Sequence, residues 1–196
     1  MESGAEPVVR DATPTDVAAI CRFGETHIPP HYSPLIGAEA AQAQVRNWWN
    51  ETQISAAVAA GVVVVAEADE DVVGVGQRGR AGDDHVVYKL YVHPEQRGHG
   101  LGPRLLGALI QQLPPDAQRL YIEHFVANER AGDFYEREGF SVERVEPGPA
   151  QNPALGVVWR ARDVSTARGL PSARRLPTAR AATTAPSPSD APTPRR

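Results

Sequence analysis

The stretch VHPEQRGHGLGPRLLGALI, from Val92 to Ile110, constrains this chain more than any other. Glycines at 98, 100 and 102 separate an apolar, strand-like run from a run in which Leu101, Leu105, Leu106, Leu109, Ile110 and Leu113 fall on one helical face. Pro114 and Pro115 end that helix. Glycine admits a positive φ and lets a backbone approach a partner with no side chain between them. A strand, a glycine turn and a helix N-terminus with free N–H groups together make a cradle for an anion. Two well-known phosphate loops fail here. A P-loop requires Gly-Lys-Ser/Thr, but Pro103 and Arg104 follow Gly102. A dinucleotide fingerprint requires a third glycine where Pro103 stands. The pattern R-x-x-G-x-G is met in full by Arg97-Gly98-His99-Gly100-Leu101-Gly102.

The rest of the chain frames this loop. With 196 residues, 41% apolar and 22% charged, one buried domain is expected. No apolar run approaches the length of a membrane span; the longest is VVVVA at 62–66. The N-terminal residues lack a signal-peptide pattern, so a cytoplasmic location is expected. The single cysteine, Cys21, excludes an intrachain disulfide and a cysteine metal cluster. We divide the chain into a flexible N-terminus (1–6), a folded body (7–163) and a tail (164–196). The tail carries six arginines against one acid and is rich in Pro, Ala, Ser and Thr. It has little to bury and should be disordered.

Along the body, VVR at 8–10 reads as a strand. A helix follows, with Thr13 as N-cap, Pro14 in its first turn and Asp16 at the third position. THIPPHYSPLIG reads as a turn-rich segment because of its three prolines. One or two helices then run to Gly61. VVVVAEA pairs with DVVGVGQRGR, and DDHVVYKLYV is a fourth strand. After the loop and its helix come a strand RLYIEHFV, a short helix NERAGDFYERE, and two closing strands. The class is α/β, with a mixed, largely antiparallel twisted sheet of six to seven strands flanked by about four helices.

On the glycine motif and this order of elements, the chain resembles the GCN5-related N-acetyltransferase (GNAT) superfamily, over roughly residues 7–163. The resemblance implies acetyl-CoA as donor, with its pyrophosphate on Arg97, Gly98, His99, Gly100, Leu101 and Gly102, and Arg104 adding charge nearby. Pro103 removes one N–H from the cradle. The resemblance also implies that pantetheine pairs with the main chain at Leu90, Tyr91 and Val92, where an N–H meets the oxyanion. Asn128, followed seven residues later by Tyr135 and then Gly139-Phe140, matches the superfamily's cofactor-contacting asparagine and the tyrosine at the donor sulfur. Tyr135 is thereby the candidate general acid.

The segment LYIE with Asn128 five residues after Glu123 resembles bacterial ribosomal-protein alanine N-acetyltransferases, which implies Glu123 as general base. A second reading pairs Glu123 with an arginine at a strand end. His85 and His124 are reserves for the base; a commoner superfamily position for a glutamate is occupied by Val86. No metal is expected. His27 and His31 are separated by Pro29-Pro30, which argues against a helical ligand pair, and Lys89, the only lysine, is expected to snorkel from its strand.

The implied reaction is N-acetylation of a small amine or a peptide N-terminus. Glu25, His27, His31, Tyr32, Trp48 and Trp49 are candidates to line the acceptor pocket. No nucleic acid or membrane partner is expected, and the protein should be a monomer or homodimer. The alternative is a non-catalytic acyl-CoA-binding or interaction module on the same fold.

Overall fold

The alternating apolar runs become a single seven-stranded sheet in the computed structural model, which describes residues 6–165. The tail beyond Ser165 and the first five residues lie outside the described residues. The strands are β1 (Val8–Asp11), β2 (Val63–Ala68), β3 (Asp71–Ala81), β4 (Asp84–Val92), β5 (Arg119–Phe125), β6 (Ser141–Glu146) and β7 (Val157–Asp163), in the order β1-β2-β3-β4-β5-β7-β6. Only β4 and β5 pair in parallel. The helices are α1 (Val17–Ile36), α2 (Ala38–Trp48), α3 (Glu51–Ala59), α4 (Leu101–Gln111) and α5 (Glu129–Arg137). No helix among the described residues is long and apolar enough to cross a membrane.

Each face of the sheet buries its own core. Leu101, Leu105, Leu106 and Leu109 of α4 pack with Val64, Val87, Leu120 and Ile122 on one face, as the sequence periodicity predicts. Two of the three glycines of β3 seat that helix. A β-carbon on Gly74 would lie 2.9 Å from Leu105, and one on Gly76 would lie 3.0 Å from Leu109. Glycine there gives up strand propensity so that α4 can sit close to the sheet.

On the other face, α1 departs from the sequence expectation. THIPPHYSPLIG is not a turn-rich segment; α1 runs through Pro29, Pro30 and Pro34 to Ile36. The reason is a buried stripe at every fourth residue: Ile20, Gly24, Ile28, Tyr32 and Ile36. Thr26, Pro30 and Pro34 lie exposed, so carbonyls deprived of an N–H partner by the prolines can meet water. Ser33 Oγ donates to the Pro29 carbonyl at 2.6 Å. Burial of the stripe outweighs the local cost of the prolines.

Two predictions arise from this face. A β-carbon on Gly24 would lie 2.5 Å from the Trp49 ring, which is itself buried and packed on Phe23 and Tyr91. Gly24→Ala should therefore destabilise by about 1–3 kcal/mol, where the same change at an open helix site stabilises by up to about 1 kcal/mol. Thermal unfolding decides between the two signs.

The second concerns the entry to α1, where the expected cap forms with an added ion pair. Asp16 accepts from the Thr13 N–H at 2.7 Å and from Nη1 and Nη2 of Arg10 at 2.8 and 2.9 Å. The Arg10 hydrogen bonds, opposed by burial and helped by Thr13, hold the Asp16 carboxyl well below the usual carboxylate range. Its contribution is complete above the ordinary aspartate pKa near 4 and is lost as pH falls toward the lower folded value. Asp16→Asn should remove ~2 kcal/mol at neutral pH and flatten the acid limb of a stability–pH curve. An unchanged limb would show that this pair contributes nothing.

Candidate active site

The parallel ladder between β4 and β5 is short. It holds His85↔Leu120, Val86↔Tyr121 and Val87↔Ile122, then stops. There β4 has one more residue than β3, between the pairs Arg78↔Val87 and Gln77↔Lys89, so Tyr88 is a bulge. A bulge bends its strand and ends regular pairing. Beyond it the two strands part around a cavity of about 400 Å³.

The cavity's lining gathers most of the residues named from sequence. Leu90, Tyr91, Val92, Arg97, Gly98, Gly100, Leu101, Gly102, Glu123, Asn128 and Tyr135 all face it. His99 is exposed and is not part of the lining. Arg104 also turns away: it bonds Glu6 at 3.0 Å and the Pro7 carbonyl at 2.7 Å. The three glycines differ in role. Gly98 (φ +84°) and Gly100 (φ +77°) adopt left-handed backbone, and no atom lies within 4 Å of where their β-carbons would stand. Gly102 lies against Phe134 of α5, 3.1 Å from where its β-carbon would be. Pro103 is the third residue of α4, after the N-cap Gly100, inside the first turn where its missing N–H breaks no helical bond.

Positive charge converges on the loop. Arg97 donates from Nε to the Val92 carbonyl at 3.1 Å, which anchors its guanidinium at the end of β4. Burial, then the nearby Arg130, pushes its pKa down from the usual value. Arg130 and Arg137 of α5 line the cavity too, and no salt bridge within the described residues engages either. Sequence reasoning missed both. The signal was their seven-residue spacing, which places them on one helical face with Phe134.

Tyr135 is buried, and that burial pushes its phenol well above the usual tyrosine range, with Tyr32 adding to the shift. It is protonated across any working pH. Asn128 is the N-cap of α5, its side chain accepting from the Ala131 N–H at 3.2 Å. Glu123 lies opposite Trp159 on β7 and close enough to Tyr91 to raise that phenol's pKa.

Of the reserve histidines, His124 lines the cavity and His85 does not. His124 offers Nδ1 to the Phe125 carbonyl at 3.0 Å and accepts at Nε2 from Arg160 at 3.2 Å. Both ring nitrogens are engaged, and burial pushes its pKa down. His85 contacts Arg80 at 3.3 Å and lies outside the cavity.

The acceptor candidates divide. His31 and Tyr32 line the cavity, whereas Trp49 is core, in edge contact with Tyr91 at 5.3 Å. His27 and His31 do share a helix, contrary to the argument from the prolines. His27 nevertheless packs between Phe23, tilted at 4.7 Å, and His93, edge-on at 4.6 Å. Among the described residues, no group of three or more His, Cys, Asp or Glu is placed to hold a metal ion.

Residues 59–142 match the family model for the acetyltransferase (GNAT) domain. A GCN5-related N-acetyltransferase structure from Rhodopseudomonas palustris superposes with a TM-score of 0.66 at 19% identity, over 83% of this chain and 99% of that one. The PaiA N-acetyltransferase of Thermoplasma acidophilum, in complex with coenzyme A, gives 0.65 at 14% identity, over 81% and 99%. The ribosomal-protein-S18-alanine N-acetyltransferase of Escherichia coli gives 0.55 at 18% identity, over 84% and 99%. No protein of curated function matches the sequence. A glycine-loop cleft between splayed strands of a mixed sheet defines a GNAT-type fold. Residues 59–142 thus match the acetyltransferase (GNAT) domain model, and the chain shares the fold of the GCN5-related N-acetyltransferases.

Proposed function

We propose that the protein is an acetyl-CoA-dependent N-acetyltransferase acting on a primary amine, either a small molecule or a peptide N-terminus. The observation that carries this reading is that one cavity joins the glycine loop to Glu123 and Tyr135. At one end, left-handed Gly98 and Gly100, Arg97 and the N-terminus of α4 provide an electropositive cradle for the donor's pyrophosphate. Between the ends, the open edge of β4 at Leu90, Tyr91 and Val92 offers main-chain groups to pantetheine, in the manner of an added strand. A main-chain N–H near Val92 receives the oxyanion.

At the reacting end the amine nitrogen attacks the thioester carbonyl as Glu123 takes its proton. The C–S bond then breaks, and Tyr135 supplies a proton to the departing thiolate. The buried, protonated state of Tyr135 supports its part.

The first experiment is a thermal-shift comparison of CoA, acetyl-CoA, ATP and NAD. A ligand at ~100 times its dissociation constant adds ~2.7 kcal/mol. Stabilisation by the CoA species alone is the expected result; stabilisation by ATP or NAD instead overturns the reading. CoA binding with no acetylation across an amine and peptide panel would favour the non-catalytic module.

A further inference from the structure

The cavity crosses the sheet. Leu101, Tyr135 and Ile122 belong to the core on the α4 side, whereas Tyr32 and Tyr91 belong to the core on the α1 side, and all five line the one cavity. A donor whose phosphates sit at the glycine loop on the α4 side therefore points its acyl group through the gap between β4 and β5. What it meets on the far side is a pair of phenols.

These phenols are fixed. The Tyr32 and Tyr91 hydroxyls are 2.7 Å apart and hydrogen-bonded. The Asn128 side chain lies close enough to Tyr32 to lower its pKa against the effect of burial, so one hydroxyl from α1 faces both walls of the gap. Phe125 packs edge-on against the Tyr32 ring at 5.5 Å, and Trp49 against the Tyr91 ring at 5.3 Å. The buried stripe of α1 holds Tyr32 from behind, and burial keeps both phenols protonated.

We propose that the Tyr32–Tyr91 pair is a stop that sets donor specificity, admitting acetyl and propanoyl thioesters and excluding longer acyl chains. The inference rests on the reading of the cavity as an acyl-CoA site. A methyl group packs against the ring edges without disturbing the phenols. Each further methylene must separate a hydrogen-bonded pair or push α1 off the sheet. A cavity of about 400 Å³ is modest for a ligand that also threads a pantetheine arm.

The test is a calorimetric binding series of CoA, acetyl-CoA, butanoyl-CoA and hexanoyl-CoA. Wild type should bind hexanoyl-CoA about tenfold or more weakly than acetyl-CoA. Tyr32→Leu and, as a second variant, Tyr32→Val should reduce that ratio to less than about threefold, the ratio being taken within each variant. Tight CoA binding with equal affinity for the acetyl and hexanoyl thioesters overturns the stop and leaves the acyltransferase reading intact. An unchanged ratio in a folded variant also overturns it. Absence of CoA binding overturns both.

Discussion

Tyr135→Phe is expected to lower kcat for acetyl transfer by about a hundredfold or more while CoA affinity stays within about twofold of wild type. The ring makes the packing contacts, against Phe134 at 5.1 Å, Phe140 at 5.8 Å and His124 at 6.1 Å. Phenylalanine preserves all three, so the fold and the donor site should survive. What disappears is the one protonated hydroxyl on α5 that faces the cavity. A thiolate then has to leave unprotonated or take its proton from water, and the cost falls on the transition state alone. Because burial holds this phenol above the usual tyrosine range, Tyr135 should impose no alkaline limb on the wild-type pH–rate profile below about pH 10. A variant with full kcat, or one that loses CoA binding in proportion to activity, would remove Tyr135 from the role of acid.

The parts of this molecule that were legible in the sequence are those where local chemistry and tertiary structure agree. The leucine stripe of α4 packs as its periodicity requires, and Gly98 and Gly100 adopt the left-handed backbone that only glycine takes readily. Where a local rule met a stronger tertiary one, sequence reading failed. Three prolines suggested a turn, but burial of Ile28, Tyr32 and Ile36 kept α1 helical. Lys89 was expected to snorkel; instead it is buried, with Nζ 2.6 Å from Gln77 Oε1 and 5.4 Å from the centre of the Trp49 ring. Burial pushes its pKa down to about 7. No local signal marks that choice, because the partners come from α2's end and from β3. The same holds for the cavity's far side. Tyr32 and Tyr91 are 59 residues apart, and only the packing of α1 across β4 brings their hydroxyls together. Arg130 and Arg137 also line the cavity, but an arginine on a short polar helix reads equally well as a solvated surface residue until the helix is placed against the loop.

The glycine loop allows a sharper test, because its glycines should fail in different ways. At Gly100 a β-carbon would meet no protein atom within 4 Å, but φ is +77°. Gly100→Ala should therefore cost the fold only the backbone strain, about 1–2 kcal/mol. The cost to the ligand is larger. A residue that leaves the left-handed region re-aims the N–H groups at the head of α4, and its methyl group stands where the proposed donor site would receive phosphate oxygens. Loss of two charge-assisted hydrogen bonds corresponds to a fall in CoA affinity on the order of a hundredfold. At Gly102 the order reverses. Its backbone is ordinary helix, and a β-carbon would press on the Phe134 ring at 3.1 and 3.2 Å. Gly102→Ala should loosen α4 against α5 and lower the unfolding temperature, with a weaker effect on CoA. Measured together, the two variants separate cradle from packing. If Gly100→Ala bound CoA like wild type, the loop would be a packing turn and the donor would have to bind elsewhere in the cavity.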